Sequence, residues 1–305
     1  MKKFRTALAV LIAALLLPAC STGNPMATTT GPAGTTASAE SIVVGSANFP
    51  ESELLAQLYA GALKAKGVQV TMRLNIGSRE TYVPALKNGE INLFPEYTGA
   101  FALYLDKNAD VSDSDKALAS LRSLLPDNLI ALDPAKAEDK DAVVVTADTA
   151  SKYSLKAIGD LAPVASQLVL GGPPEWATRA NGVPGLQATY GLTFKEFKPL
   201  DTAGPLTVQA LKNGQVQAAN LFTTDPAVKA NGFVALEDPK NLFGAQNVVP
   251  VITKAKATDT VKGALNAVSA KLDTDALATM VTKVVTDKQD ASAVAADWLK
   301  SQGLG

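Results

Sequence analysis

Residues 85–99 read ALKNGEINLFPEYTG, and 125 positions further on residues 210–225 read ALKNGQVQAANLFTTD. In each copy Ala and Leu close a helix, Asn and Gly form its left-handed exit, and an apolar run reads as a buried strand. Each strand then gives way to aromatic and hydroxyl side chains. The helix before the first copy is SRETYVPALKNG, with Ser78 as N-cap and Glu80 in its first turn; before the second it is TAGPLTVQALKNG, with Thr202 as N-cap. Five repeated letters alone would be a chance helix ending. The matching strand and polar terminus after each make two related lobes the better reading.

Working outward, the same grammar extends on both sides. SIVVGSANF opens with a β-branched strand at Ile42–Val44. A helix follows, with Pro50, Glu51 and Glu53 near its start and Leu54, Leu55, Leu58, Ala62 and Leu63 on one face. Gly67 ends it, and VQVTMRLNIG alternates as the next strand. In the second half SQLVLGG, TFKEFKPL and QVQAANLF read as strands separated by helices near 185–190 and 202–214. Strand and helix in alternation predict an α/β chain with mostly parallel sheets. DAVVVTAD (141–148) and NVVPVITK (247–254) read as strands crossing between the lobes. The first lobe is then 41–143 plus 250–305, the second is 148–246, and the two crossings form a hinge. The pattern from 256 to 305 is helical and is expected to pack on the first lobe.

The totals exclude several functions. Of 305 residues 47% are apolar, enough for sizeable cores, and 28 basic residues stand against 29 acidic ones. No basic excess exists for a nucleic-acid partner. There is no histidine, which removes the commonest general base and transition-metal ligand. The single cysteine forbids an intramolecular disulfide. With no histidine for a triad, no spare thiol and no phosphate-binding loop, the sequence supports neither an enzyme nor a cofactor or metal site.

The cysteine lies at the end of MKKFRTALAVLIAALLLPAC. A positive n-region and an apolar run too short to span a bilayer form a signal peptide over 1–20. LPAC resembles a bacterial lipobox, which implies cleavage before Cys20 and a lipid anchor on its sulfur. Residues 21–40 are rich in Thr, Ala, Gly, Ser and Pro and read as a flexible tether. The remainder contains no further membrane-length apolar run and is expected to be soluble and extracytoplasmic.

In open parallel sheets ligands bind beyond the carboxyl ends of strands. Those ends gather Asn48, Ser52, Arg79, Glu80, Tyr97, Thr98, Trp176, Arg179, Phe222, Thr223, Thr224 and Asp225. Singly, each has a plainer account: Tyr97 and Phe222 as packing rings, Asp225 before Pro226 as a turn residue, Arg79 and Glu80 as a solvated pair. Their convergence on one side of the expected sheets makes them a candidate interlobe site.

GSANFPES, NIGSRETYVPALKNGEINLFPEYTG, GVPGLQATYGL, QALKNGQVQAANLFTTD and ALEDPKN, in this order, resemble the substrate-binding proteins of ABC importers for osmoprotectants, the glycine betaine/carnitine/choline-binding family with its OpuAC-like domain. The resemblance covers nearly all of 41–300. It implies a two-lobed periplasmic-binding-protein fold of the type II kind, working as a monomer, that closes on a small solute and delivers it to an ABC permease and its ATPase. It also implies a quaternary ammonium held by ring faces, each contact being worth roughly 0.5–2 kcal/mol. Tyr97 matches the cage tyrosine of PEYTG, Phe222 stands where the second lobe often has Tyr, and Arg179 matches a position that can serve a ligand carboxylate. Asp141 falls where many members have a cage tyrosine, Gln246 and Asn247 where many have paired tyrosines, and Ser52 where Gln is frequent. At most two of four rings therefore survive. Glycine betaine, choline or carnitine remains the leading ligand class. A polyol, a sugar-like or a phenolic compound hydrogen-bonded by Asp141, Gln246 and Asn247 stays open beside it, as does a sensor without transport.

Overall fold

The structure, a computed structural model, describes residues 41–305; the expected signal peptide, Cys20 and the expected tether lie outside the described residues. The first lobe begins with β1 (Ile42–Gly45), α1 (Pro50–Ala65), β2 (Val70–Arg73), α2 (Arg79–Lys87) and β3 (Leu93–Tyr97). Next come α3 (Thr98–Leu105), α4 (Ser114–Leu124) and β4 (Leu129–Ala131). The second lobe contains β5 (Asp141–Thr146), α5 (Ala147–Tyr153), β6 (Val169–Gly172), α6 (Val183–Tyr190) and β7 (Glu196–Pro199). It closes with α7 (Pro205–Lys212), β8 (Ala218–Phe222), α8 (Pro226–Ala230) and β9 (Phe233–Ala235). The chain returns as β10 (Val248–Thr253), and α9 (Asp259–Lys271), α10 (Thr274–Val285) and α11 (Ala291–Ser301) complete it.

The two sheets have the orders β2-β1-β3-β10-β4 and β7-β6-β8-β5-β9. Position by position they are the same sheet. In each, three strands are parallel and the fourth runs antiparallel to both neighbours. The expectation of mostly parallel sheets thus holds for the first three strands of each. The strand arriving from the other lobe supplies the antiparallel pairings.

The repeated corner is duplicated bond for bond. Glu90 N donates to Ala85 O at 2.9 Å, and Gln215 N to Ala210 O at 2.8 Å. Asn92 bridges with its side chain from Gly89 O to Val43 N, and Gln217 bridges from Gly214 O to Val169 N. Left-handed backbone falls on Gly89 and Gly214 alone, at φ 77° and 68°, because Asn88 and Asn213 keep negative φ. Glycine takes that region without a Cβ clash. β3 and β8 thereby leave equivalent corners at the centres of their sheets.

Two expectations need correction. The boundary drawn after Val143 falls inside β5, which pairs with β8 from Asp141 onward; Val248 and Val249 likewise pair in the first sheet. The crossings are the short segments upstream of these strands. They run side by side through a bridge of Glu138 with Asn247 and a bond from Asp139 N to Gln246 O at 3.2 Å. Thr202 does not cap α7 either. Asp201 does, accepting from Leu206 N at 3.0 Å and Thr207 N at 2.8 Å, because its two oxygens reach both amide groups.

α1 explains why the C-terminal helices belong to the first lobe. Leu54, Leu55, Leu58 and Leu63 are fully buried in a core that includes Leu265, Val268, Leu277, Val281, Val294 and Leu299 from α9 to α11. Each such leucine contributes about 1.5–3 kcal/mol by burial. A second core lies on the opposite face, where Phe94 alternates with Leu93, and the second sheet is likewise packed on both faces.

Candidate functional site

Tyr97 is the last residue of β3 and Phe222 the last of β8, so the repeat delivers one ring from each lobe to equivalent places. Between them stands Phe49, in the turn from β1 to α1. Its ring centroid is 6.5 Å from that of Tyr97 and 5.3 Å from that of Phe222. Pro50 at the start of α1 leaves Phe49 in extended backbone, at φ −141°. The rings border two adjoining cavities of about 40 and 70 Å³, and Phe49, Arg79, Tyr97, Arg179 and Thr202 line both.

Carboxylates outnumber cations around this space. The two oxygens of Glu96 receive Arg79 Nε and Nη2, at 2.8 Å for the closest bond, together with the Tyr82 hydroxyl at 2.6 Å. Burial disfavours the Arg79 charge, but Glu96 outweighs it and holds the guanidinium protonated. Arg179, from the second lobe, pairs with Glu80 of the first at 2.9 Å. Both arginines are therefore already balanced. Asp141 has no contact ion pair: Asn181 and Asn220 each donate to it at 2.8 Å, and burial lifts its carboxyl above the ordinary range against the longer-range pull of Arg179 and Arg79.

A second acidic group joins the lobes. Glu51, in the first turn of α1, accepts from the Tyr97 hydroxyl and from the Thr224 hydroxyl of the second lobe, each at 2.6 Å. Asp139, in the crossing segment, accepts from Thr224 N at 3.0 Å and the Thr223 hydroxyl at 3.1 Å, and also bonds Glu51. Burial raises both carboxyls; the charge of Glu51 raises Asp139 further, so the pair retains a proton beyond the usual carboxylate range. Among the described residues neither Glu51, Asp139 nor Asp141 has an ion-pair partner. Such a space, with ring faces and buried carboxylates that no described cation contacts directly, suits a compact cation.

Of the residues expected at the site, Asn48, Ser52, Arg79, Tyr97, Asp141, Arg179 and Phe222 border the cavities. Ser52 is spent internally, its hydroxyl accepting from Ala47 N at 2.9 Å. Glu80 stands at the edge, holding Arg179. Three residues do not reach the space. Thr98 is fully buried and accepts from Asn247 N; Asn247 donates to Ala135 O; Thr223 binds Asp139 and Lys140 N. All three fasten the crossing segments. Gln246 borders the larger cavity instead of Asn247, with its side chain bonded to Ala100 N and Phe243 O.

Phe49, Glu51 and Asp139 were missed as site residues. Phe49 precedes a helix-opening Pro and resembles a packing residue, and the two acids look solvated in the sequence. An aromatic residue just past the first strand, at the same end of the sheet as Tyr97, was the available signal for Phe49.

The family described as the substrate binding domain of ABC-type glycine betaine transport systems matches residues 40–301. The glycine betaine-binding protein YehZ of Escherichia coli is 27% identical over 87% of this chain and 92% of its own length. A glycine-betaine-binding protein of Pseudomonas aeruginosa is 26% identical over 88% of this chain and 90% of its own. A crystal structure of a glycine betaine/carnitine/choline ABC transporter protein superposes with TM-score 0.68 at 23% identity, over 86% of this chain and 99% of its own.

Proposed function

The chain belongs to the family of substrate-binding domains of ABC-type glycine betaine transport systems, and on that footing we propose that it captures an osmoprotectant-type quaternary ammonium solute between its lobes and hands it to the permease and ATPase of an importer. Glycine betaine, choline, carnitine or a close analogue is the ligand class. The observation that carries this is the three-ring cluster of Phe49, Tyr97 and Phe222 beside Asp141 and Asp139, neither of which has a contact ion pair among the described residues. A trimethylammonium group cannot accept or donate a conventional hydrogen bond, so ring faces and a nearby carboxylate are what recognise it. Phe49 supplies a ring that the position of Asp141 withholds. Arg79 and Arg179 use Nε and Nη2 toward Glu96 and Glu80, which leaves each Nη1 to receive a ligand carboxylate.

Delivery needs a change of shape between loaded and empty receptor. The Arg179–Glu80 pair and the Thr224–Glu51 bond each join one lobe to the other, and parting of the lobes would break both. A cation in the cleft draws both acidic walls toward it and favours the closed form. A lipid anchor on Cys20 would hold the receptor at the outer face of the cell membrane as a monomer. No described helix is long and apolar enough to cross a membrane.

The test is a thermal-shift and calorimetric screen of glycine betaine, choline and carnitine at up to millimolar concentration. The reading expects one ligand per chain and a melting temperature that climbs with ligand concentration. Failure of all three sinks it. A hydrogen-bonding, non-quaternary ligand is the second reading. It is favoured by Trp176 Nε1 and Asn220 Oδ1, two buried polar atoms without partners on residues that line the larger cavity.

A further inference from the structure

Behind the ring cluster lies a third space, and at about 280 Å³ it is several times larger than either part of the polar cleft. Phe49, Thr202 and Phe222 are shared between it and the cleft, so the Phe49–Phe222 ring pair is the partition between them. Its walls come from both lobes. Val281, Val284 and Val285 of α10 stand on the first-lobe side, and Pro205, Val208 and Ala227 on the second-lobe side. Val208, Val284 and Val285 are only half-buried, and Leu206, beside Pro205, is the large apolar side chain left most exposed among the described residues. Apolar surface on both lobes thus remains uncovered beside the ligand cleft, where it gains most from being covered.

The charges in this chamber select its occupant. Three helices begin on it, which alone would suit an anion. Those helix ends are already occupied: Asp201 takes the amide groups of α7, Asp225 accepts from Ala227 N of α8, and the first turn of α1 carries Glu51 and Glu53. Glu51 and Asp225 line the chamber without an ion-pair partner among the described residues, against one exposed Lys288. Burial pushes the Asp225 carboxyl up to about 6, consistent with a missing counter-ion.

We propose that the chamber receives the apolar arm of a substituted ammonium ion whose cationic head is held at Phe49 and Phe222, so that the receptor favours alkyl- or aryl-extended quaternary amines over tetramethylammonium. This inference rests on the cation-binding reading above and narrows its ligand class. The Phe49 and Phe222 rings, 5.3 Å apart between centroids, part to let the arm into a space walled by valines, and the head remains within reach of Glu51 and Asp225.

The experiment is a calorimetric series with tetramethylammonium, butyltrimethylammonium and hexyltrimethylammonium, with glycine betaine as reference. Wild-type affinity should tighten by about two- to fourfold per added methylene, the range for partial to full burial of one such group. Val284→Trp fills the chamber from the first lobe and Val208→Gln makes its other wall polar. Each should abolish the chain-length gain and leave tetramethylammonium affinity within twofold, with thermal melts confirming that both variants fold. Equal affinity along the wild-type series overturns the inference, as does a gain that survives in a folded variant. If glycine betaine binds and longer chains gain nothing, only this inference fails. If no quaternary amine binds at all, the cation-binding reading fails with it.

Discussion

Replacing Thr224 with Val tests whether the lobes close through the Glu51 clasp. The Thr224 hydroxyl donates to Glu51 Oε2 at 2.6 Å, and the two residues are 6% and 3% exposed. Valine keeps the shape and removes the donor. Glu51 then keeps the Tyr97 hydroxyl and Asp139 but loses its bond from the second lobe. A buried acceptor left short of a partner costs about 1–3 kcal/mol. With the lobes apart, water satisfies both groups, so the cost falls on the closed form alone. Ligand affinity should therefore weaken by about fivefold to 150-fold, while the melting temperature of ligand-free protein moves little. Calorimetry with any quaternary ligand from the screen, paired with melts of the empty protein, reads both quantities. A dissociation constant within twofold of wild type refutes the reasoning. So does a large loss of ligand-free stability with unchanged affinity, because the bond would then belong to the fold and not to closure.

Three further outcomes follow from the same structure. Phe222→Leu keeps an apolar side chain but removes one ring face, so a quaternary ligand should bind about two- to thirtyfold more weakly; equal calorimetric affinity would remove Phe222 from cation recognition. Asp225, raised by burial from 3.8 to about 6, binds its proton more tightly folded than unfolded. Its contribution is therefore complete below pH 3.8 and is lost as pH rises through 6, by at most about 3 kcal/mol; denaturant melts of Asp225→Asn against wild type should lack that slope, and parallel profiles would contradict it. Gly99→Ala should destabilise by about 1–3 kcal/mol, because the added methyl would collide with the Ala245 carbonyl that Gly99 N already contacts at 3.1 Å; an unchanged melt would show that the return crossing can shift.

The duplicated corner made the architecture legible. ALKNG with its strand marks the same turn twice, and a turn of this kind depends on neighbours a few residues away. The two rings at its strand ends were legible for the same reason, since a strand fixes where its last residue lies. The acidic clasp was not. Glu51 looks like an ordinary first-turn acid until the Thr224 hydroxyl of the second lobe reaches it, and Asp139 looks solvated until Thr223 and Thr224 fold over it. Thr98, Thr223 and Asn247 carry the polar groups a ligand site needs. They are consumed in joining the crossings, a task that shows only when both crossings are side by side. The lobe boundary slipped for a related reason: a strand that serves one sheet and a strand that links two have the same pattern of apolar residues.

The most direct test of cation recognition is to titrate choline against 3,3-dimethylbutan-1-ol, its neutral isostere with carbon in place of nitrogen. Shape and hydroxyl are alike, and only the charge differs. Rings and carboxylates without contact ion pairs predict that choline binds at least about tenfold more tightly, the worth of one or two cation–ring contacts. Equal affinity for the two would contradict the account, because the cleft would then be reading shape and not charge.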